Sequence, residues 1–221
     1  MNASEVLARV HEAERRAGRA PGSVTLIGAS KTRSAAEVLD AHAAGVTDFG
    51  ENYVQELAAK APLCTTARWH FIGHLQRNKA KAVAAHANCL HTLDSVRLAD
   101  HLERLLGGVN ELVVLLEVNL GGEQTKAGVS PAVATTLAEH VLLRCPSLRL
   151  IGLMTIPPPD AAPRVWFAAL RELRDDLAAR LGHALPALSM GMSDDLEDAI
   201  LEGATFVRVG TALFGPRSPR G

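Results

Sequence analysis

Short β-type runs alternate with helical patterns eight times along this chain, and nothing else in it restricts the fold as strongly. The runs cover residues 24–30, 47–50, 68–72, 89–93, 112–119, 148–155, 187–191 and 205–209. Between them lie segments such as SAAEVLDAHAAG, SVRLADHLERLLGG, SPAVATTLAEHVLLR and PRVWFAALRELRDDLAARLG, with apolar residues spaced i, i+3, i+4. Several open on Ser or Pro and close on Gly, the ordinary start and stop chemistry of helices. LVVLLEV is nearly all apolar, as a parallel strand covered on both faces should be. The pattern fits an α/β chain of the (β/α)8 TIM-barrel kind, with a doubly wound open sheet as its competitor.

The chain has 221 residues, 48% of them hydrophobic, enough to bury a barrel-sized core, and residues 1–221 read as a single domain. MNASEVLARVHEAERRAG is amphipathic, with Val6, Leu7, Val10 and Ala13 on one face, Ser4 as its expected cap and Gly18 as its stop. This extra N-terminal helix precedes the first strand and little chain follows the eighth. It is therefore expected to cover the bottom or side of the barrel. A net charge of −1 offers no field to recruit nucleic acid or an anionic membrane. The apolar runs fall well short of the ~18 residues that a membrane span requires. Cys64, Cys89 and Cys145 are odd in number and widely spaced, so they read as reduced interior thiols of a cytoplasmic protein.

In a barrel of this kind, function sits just beyond the C-terminal ends of the strands. Those positions hold Lys31 after VTLIGAS, Asn52 and Tyr53 in FGENY, Ser189, Met192 and Ser193 in LSMGMSDD, and Gly210 and Thr211 in RVGTALFG. Ser193 and Thr211 are either helix caps or, on adjacent strands seven and eight, parts of a phosphate cup. Arg208 lies within TFVRVGT on the same face as Phe206 and Gly210. If that face is the interior, its guanidinium needs a partner, either an acidic side chain or a ligand heteroatom. Lys31 is either the first solvated residue of a loop or an amine made nucleophilic by a nearby cation and partial desolvation. A phosphorylated aldehyde with a ring nitrogen answers amine, cup and arginine together, and pyridoxal 5′-phosphate (PLP) is such a molecule.

The segments LIGASKT, FGENYVQE, WHFIGHLQRNK, GLMTIP, LSMGMSDDLEDAI and VRVGTALFG resemble, in order, the signatures of the YggS/PROSC family of pyridoxal phosphate homeostasis proteins. That family is similar to the barrel domain of alanine racemase, which implies an alanine racemase N-terminal-domain-like barrel here. The resemblance further implies PLP held as a Schiff base on Lys31 and Arg208 facing the pyridine nitrogen. It assigns Met192–Ser193 and Gly210–Thr211 to the phosphate, and places Asn52 and Ser189 along the pocket. Lys126 matches another family lysine, whereas Arg33 stands where many relatives carry a second lysine.

An arginine cannot protonate a pyridine nitrogen as a carboxylic acid can, so the ring it faces is a weak electron sink. Alanine racemase-like enzymes also need a second base, a tyrosine from an additional β domain, for which this chain has no residues; its single tyrosine is Tyr53. The expectation is a monomeric, non-catalytic PLP carrier serving vitamin B6 homeostasis, with PLP-dependent apo-enzymes as recipients. The alternative is a PLP-dependent racemase-like enzyme. His70 and His74 invite a metal pair, but strand-then-loop spacing favours packing and loop hydrogen bonds, and no metal is expected.

Overall fold

All eight expected strands form, each within two residues of its predicted bounds, in a computed structural model that describes residues 3–123, 125–158 and 162–216. The single-domain expectation over 1–221 thus extends at both ends beyond the described residues. The strands are β1 Thr25–Ala29, β2 Asp48–Glu51, β3 Arg68–Phe71, β4 Cys89–Leu93, β5 Leu112–Glu117, β6 Leu148–Met154, β7 Ala187–Ser189 and β8 Phe206–Val209. They run parallel in the order of the sequence and close on themselves, β1 pairing with β8 through Ile27 opposite Arg208. Closure excludes the open doubly wound sheet.

Helices α1 Ala3–Arg16, α2 Ala35–Ala43, α3 Val54–Lys60, α4 Ala80–His86, α5 Val96–Leu106, α6 Pro131–Arg144, α7 Pro163–Leu181, α8 Leu196–Leu201 and α9 Thr211–Phe214 surround them. Local chemistry sets their ends. Ser34 and Glu37 form a reciprocal capping box on α2, and the Ser95 hydroxyl accepts the Leu98 amide at the start of α5. Gly107 and Gly182 end α5 and α7 in the left-handed conformation. Ser4 does not cap α1, because the helix already begins at Ala3. Helix α1 packs against α8 at the side of the barrel, fixed by Arg9 to Glu197 at 2.8 Å.

The apolar core has two parts. A large shell, including Leu90, Leu116, Phe167 and Val207, fills the space between strands and helices. A much smaller cluster of Cys89, Leu115, Met154 and Ala187, with Phe206 packed on it, occupies the barrel interior. The three cysteines are buried and unpaired. No described helix is long and apolar enough to cross a membrane.

Candidate functional site

The C-terminal ends of β1, β2, β7 and β8 surround a cavity of about 290 Å³, and seven of the eight predicted site residues line it: Lys31, Asn52, Met192, Ser193, Arg208, Gly210 and Thr211. Ile72 and Ile156 supply apolar wall, and Asp194 lies at the rim. The eighth, Ser189, is not among the lining residues. It is fully buried beneath the cavity, where its hydroxyl accepts a hydrogen bond from Arg208 Nη1 at 2.7 Å. As the last residue of β7 it points into the barrel, below the level at which the loop opens.

Arg208 is buried, with 5% of its surface exposed, and faces the interior as its alternation with Phe206 required. A second bond runs from Nη2 to the Thr155 carbonyl at 3.0 Å. Neither partner is a carboxylate, so the structural ion pair weighed for this residue is not formed among the described residues. Burial lowers its pKa to about 10, against the opposing pull of Asp195 and Glu117.

Lys31 is half-buried, two residues beyond β1. The backbone on either side of it is fastened by a buried cluster centred on Lys60. Lys60 Nζ donates to the Ser30 carbonyl at 2.8 Å, to Glu51 Oε1 at 2.8 Å and to Glu56 Oε2 at 2.6 Å. The Ser30 hydroxyl donates to Glu51 Oε1 at 2.6 Å, and the Thr32 amide to Glu56 Oε2 at 2.8 Å. Thr32 is the sole non-glycine with positive φ among the described residues, at 65°. Burial raises the Glu51 pKa, despite the bonds from Lys60 and Ser30. Sequence reasoning missed this cluster; its one local signal is the Glu56–Lys60 pair at i, i+4.

The β7–α8 loop departs from expectation. Ser193 does not cap α8, which starts at Leu196 after Asp195; its hydroxyl instead accepts the Ala212 amide at 3.4 Å. The Met192 amide is taken by Asp195 Oδ1 at 2.6 Å, which removes it from any anion in the cavity. Gly191 makes the turn at φ +91°, with room for no side chain, since a Cβ there would stand 2.5 Å from that of Ala199. Gly73 serves Asn52 in the same way: a Cβ would meet the Asn52 carbonyl oxygen at 2.2 Å. Thr211 opens α9 as predicted but makes no side-chain cap.

Comparison with known proteins places this geometry. The alanine racemase N-terminal domain model matches residues 5–218. A pyridoxal phosphate homeostasis protein of Pseudomonas aeruginosa is 50% identical over 222 residues, covering 98% of this chain and 94% of its own. The protein of the same name from Aquifex aeolicus is 46% identical, covering 97% and 96%. The chain belongs to the pyridoxal phosphate homeostasis protein family. PipY of Synechococcus elongatus, solved with PLP bound, matches at 36% identity with a TM-score of 0.82, covering 93% of this chain and all of that one. Alanine racemase of Clostridium difficile, at 14% identity, shares the fold, with a TM-score of 0.75 over 97% of this chain and 60% of its own.

Three other residues singled out in the sequence find their places. Arg33, the departure from the family's lysine, turns away from the cavity, stacks over Phe214 at 5.7 Å and bonds the Gly215 carbonyl. Lys126 pairs with Glu123 at 2.7 Å and donates to the Pro157 carbonyl. Tyr53 is 48% exposed and lines a neighbouring groove rather than this cavity.

Proposed function

We propose that this chain is a cytoplasmic PLP carrier that holds the cofactor covalently on Lys31 and serves vitamin B6 homeostasis without turnover of its own. One observation carries the reading: an amine, a buried guanidinium and the Gly210–Thr211 turn face the same 290 Å³ cavity. The residues also suit the group. Asn52 Oδ1 is buried with no hydrogen-bond partner among the described residues, an orphan that a bound polar molecule would relieve. Two of the five N–H groups of Arg208 are engaged by Ser189 and Thr155, and others remain to meet a ring nitrogen. Three unpaired thiols accord with a reducing compartment.

When bound, PLP supplies an aldehyde and an electron-withdrawing ring. Lys31 would hold the group through Nζ, the amine that faces the cavity. Arg208 would donate to a ring nitrogen, and a guanidinium is too weak an acid to protonate it. Ser193 and Thr211 would receive the phosphate. Tyr53, outside the cavity, is badly placed as the second base that racemisation requires.

The test is an absorbance spectrum of the purified, PLP-loaded protein before and after borohydride, followed by peptide mass spectrometry. A near-ultraviolet or visible band abolished by reduction, with the added mass on Lys31 and none in Lys31→Ala, is expected. Mass on another lysine, or sustained racemisation of amino acids by the loaded protein, overturns the carrier.

A further inference from the structure

Arg208 is a buried cation with no carboxylate at hydrogen-bond distance among the described residues, Asp195 and Glu117 acting on it only from farther away. Behind it runs a file of polar side chains through the barrel interior. Arg208 Nη1 meets Ser189 Oγ at 2.7 Å, Ser189 Oγ meets His91 Nδ1 at 2.8 Å, and His91 Nε2 meets His70 Nδ1 at 2.9 Å. His70 Nε2 then reaches Asp48 Oδ1 at 2.9 Å. Asp48 and Arg68 are the first residues of β2 and β3, whereas Ser189 is the last of β7, so the file spans the barrel from its N-terminal to its C-terminal end. The two rings and Phe206 pack edge to face around it.

The two ends determine every proton between them. Asp48 accepts from Arg68 Nε and Nη2, the Thr47 hydroxyl and His70, which fills its carboxylate with donors. These bonds outweigh the cost of burial and hold its pKa down to about 2. Being ionised, it accepts, so His70 carries its proton on Nε2 and accepts on Nδ1. Arg208 only donates, so the Ser189 oxygen accepts from it and gives its single proton to His91 Nδ1. His91 must then donate from Nε2 to His70. All four bonds then point one way, from guanidinium to carboxylate. Burial, with His70 and Arg208 beside it, independently pushes the His91 pKa well below its usual value.

We propose that Asp48, His70, His91 and Ser189 are positioning residues of the cofactor site, a one-way hydrogen-bonded wire that holds Arg208 from behind and couples it to the carboxylate of Asp48. The inference rests on the PLP reading of the cavity above, since the group that Arg208 is positioned to meet is the ring nitrogen. His70, His91 and Cys89 also bring potential metal ligands within 4.8 Å of one another. The ring nitrogens are already committed to the wire, and burial pushes the Cys89 thiol up, away from the thiolate a metal binds.

The test uses the PLP-loaded protein and three forms: wild type, His91→Leu, which cuts the wire, and His91→Gln, whose amide can still accept from Ser189 and donate to His70. His91→Leu is expected to weaken PLP binding about tenfold or more and to shift the absorbance band, with borohydride still fixing the mass on Lys31. His91→Gln is expected to recover both readouts to within about threefold of wild type. Nitrogen NMR of the wild-type imidazoles at pH 8, which needs no variant to fold, should show the ring proton of His91 on Nε2 and not on Nδ1. Unchanged affinity and band in His91→Leu overturns the wire, as does a His91 proton on Nδ1 or loss of the imidazole N–H signals on adding Zn²⁺. A wild type that takes up no PLP on Lys31 overturns the cofactor reading instead, and the imidazole spectrum then still reports on the wire.

Discussion

Glu117, at the end of β5, is 8% exposed, and one of its carboxylate oxygens has no hydrogen-bond partner among the described residues. Burial, reinforced by Asp94 and opposed by Arg208, lifts its pKa from 4.5 to about 7. A carboxyl raised in the folded state stabilises fully below the unfolded value and loses that contribution as pH rises through the folded one. Glu117→Gln is therefore expected to raise Tm at pH 8 by a few degrees, on the order of 2 kcal/mol, and to change little near pH 4.5, as thermal unfolding at the two pH values will show. Asp48 illustrates why such residues escape a reading of the sequence. In TDFGE it is one acidic residue in a short run, and its four donors come from Thr47, Arg68 and His70. His70 was weighed with His74, its neighbour in sequence. Its partners in space are His91 and Asp48, while His74 faces Asp94 at 3.4 Å.

The elements themselves were legible because their causes are local. Periodicity, capping serines and terminal glycines each act within a few residues, and they located all eight strands. The α5 cap makes this testable: Ser95→Ala removes the acceptor of the Leu98 amide and should cost about 1 kcal/mol in denaturant unfolding. Ser193→Ala should leave α8 unaffected, because its hydroxyl bonds Ala212 in another element. Gly191→Ala combines a left-handed φ with a 2.5 Å collision in the β7–α8 turn, and it is expected to destabilise by more than either cap change. The cap alternative for Ser193 fails for a related reason. The sequence places a serine before an acidic helix, but Asp195 and Gly191 turn the chain so that the helix starts two residues later than a Ser193 cap requires.

On the scale of the whole molecule, barrel closure does what no local signal can. It brings Ser189 beside His91, 98 positions earlier in the chain, and Lys60 beneath Ser30, 30 positions later. The trace such contacts leave is a polar residue at the inward phase of an otherwise apolar strand, as His91 is in CLHTL. Closure also shapes acid stability. His91, with a depressed pKa, stabilises above pH 6.5 and loses that contribution as pH falls; Asp48 does the same between its unfolded value of 3.8 and about 2. Wild-type stability should accordingly fall in two stages, one beginning below about pH 6.5 and a second of about 2 kcal/mol between pH 4 and pH 2. Asp48→Asn should abolish the second in urea titrations. Saturating PLP should raise Tm in wild type and leave the Lys31→Ala variant nearly unmoved.

The fastening of Ser30 and Thr32 around Lys31 has a thermodynamic meaning for a carrier. With the chain on both sides already immobilised by Lys60, Glu51 and Glu56, capture of a cargo at Lys31 would leave no loop to order, and the ordering cost falls on the lysine stem, about 2 kcal/mol. Amide exchange at Ser30 and Thr32 should then be equally slow in the loaded and empty protein. On the proposed reading, release would likewise be a side-chain event that requires no part of the barrel to unfold.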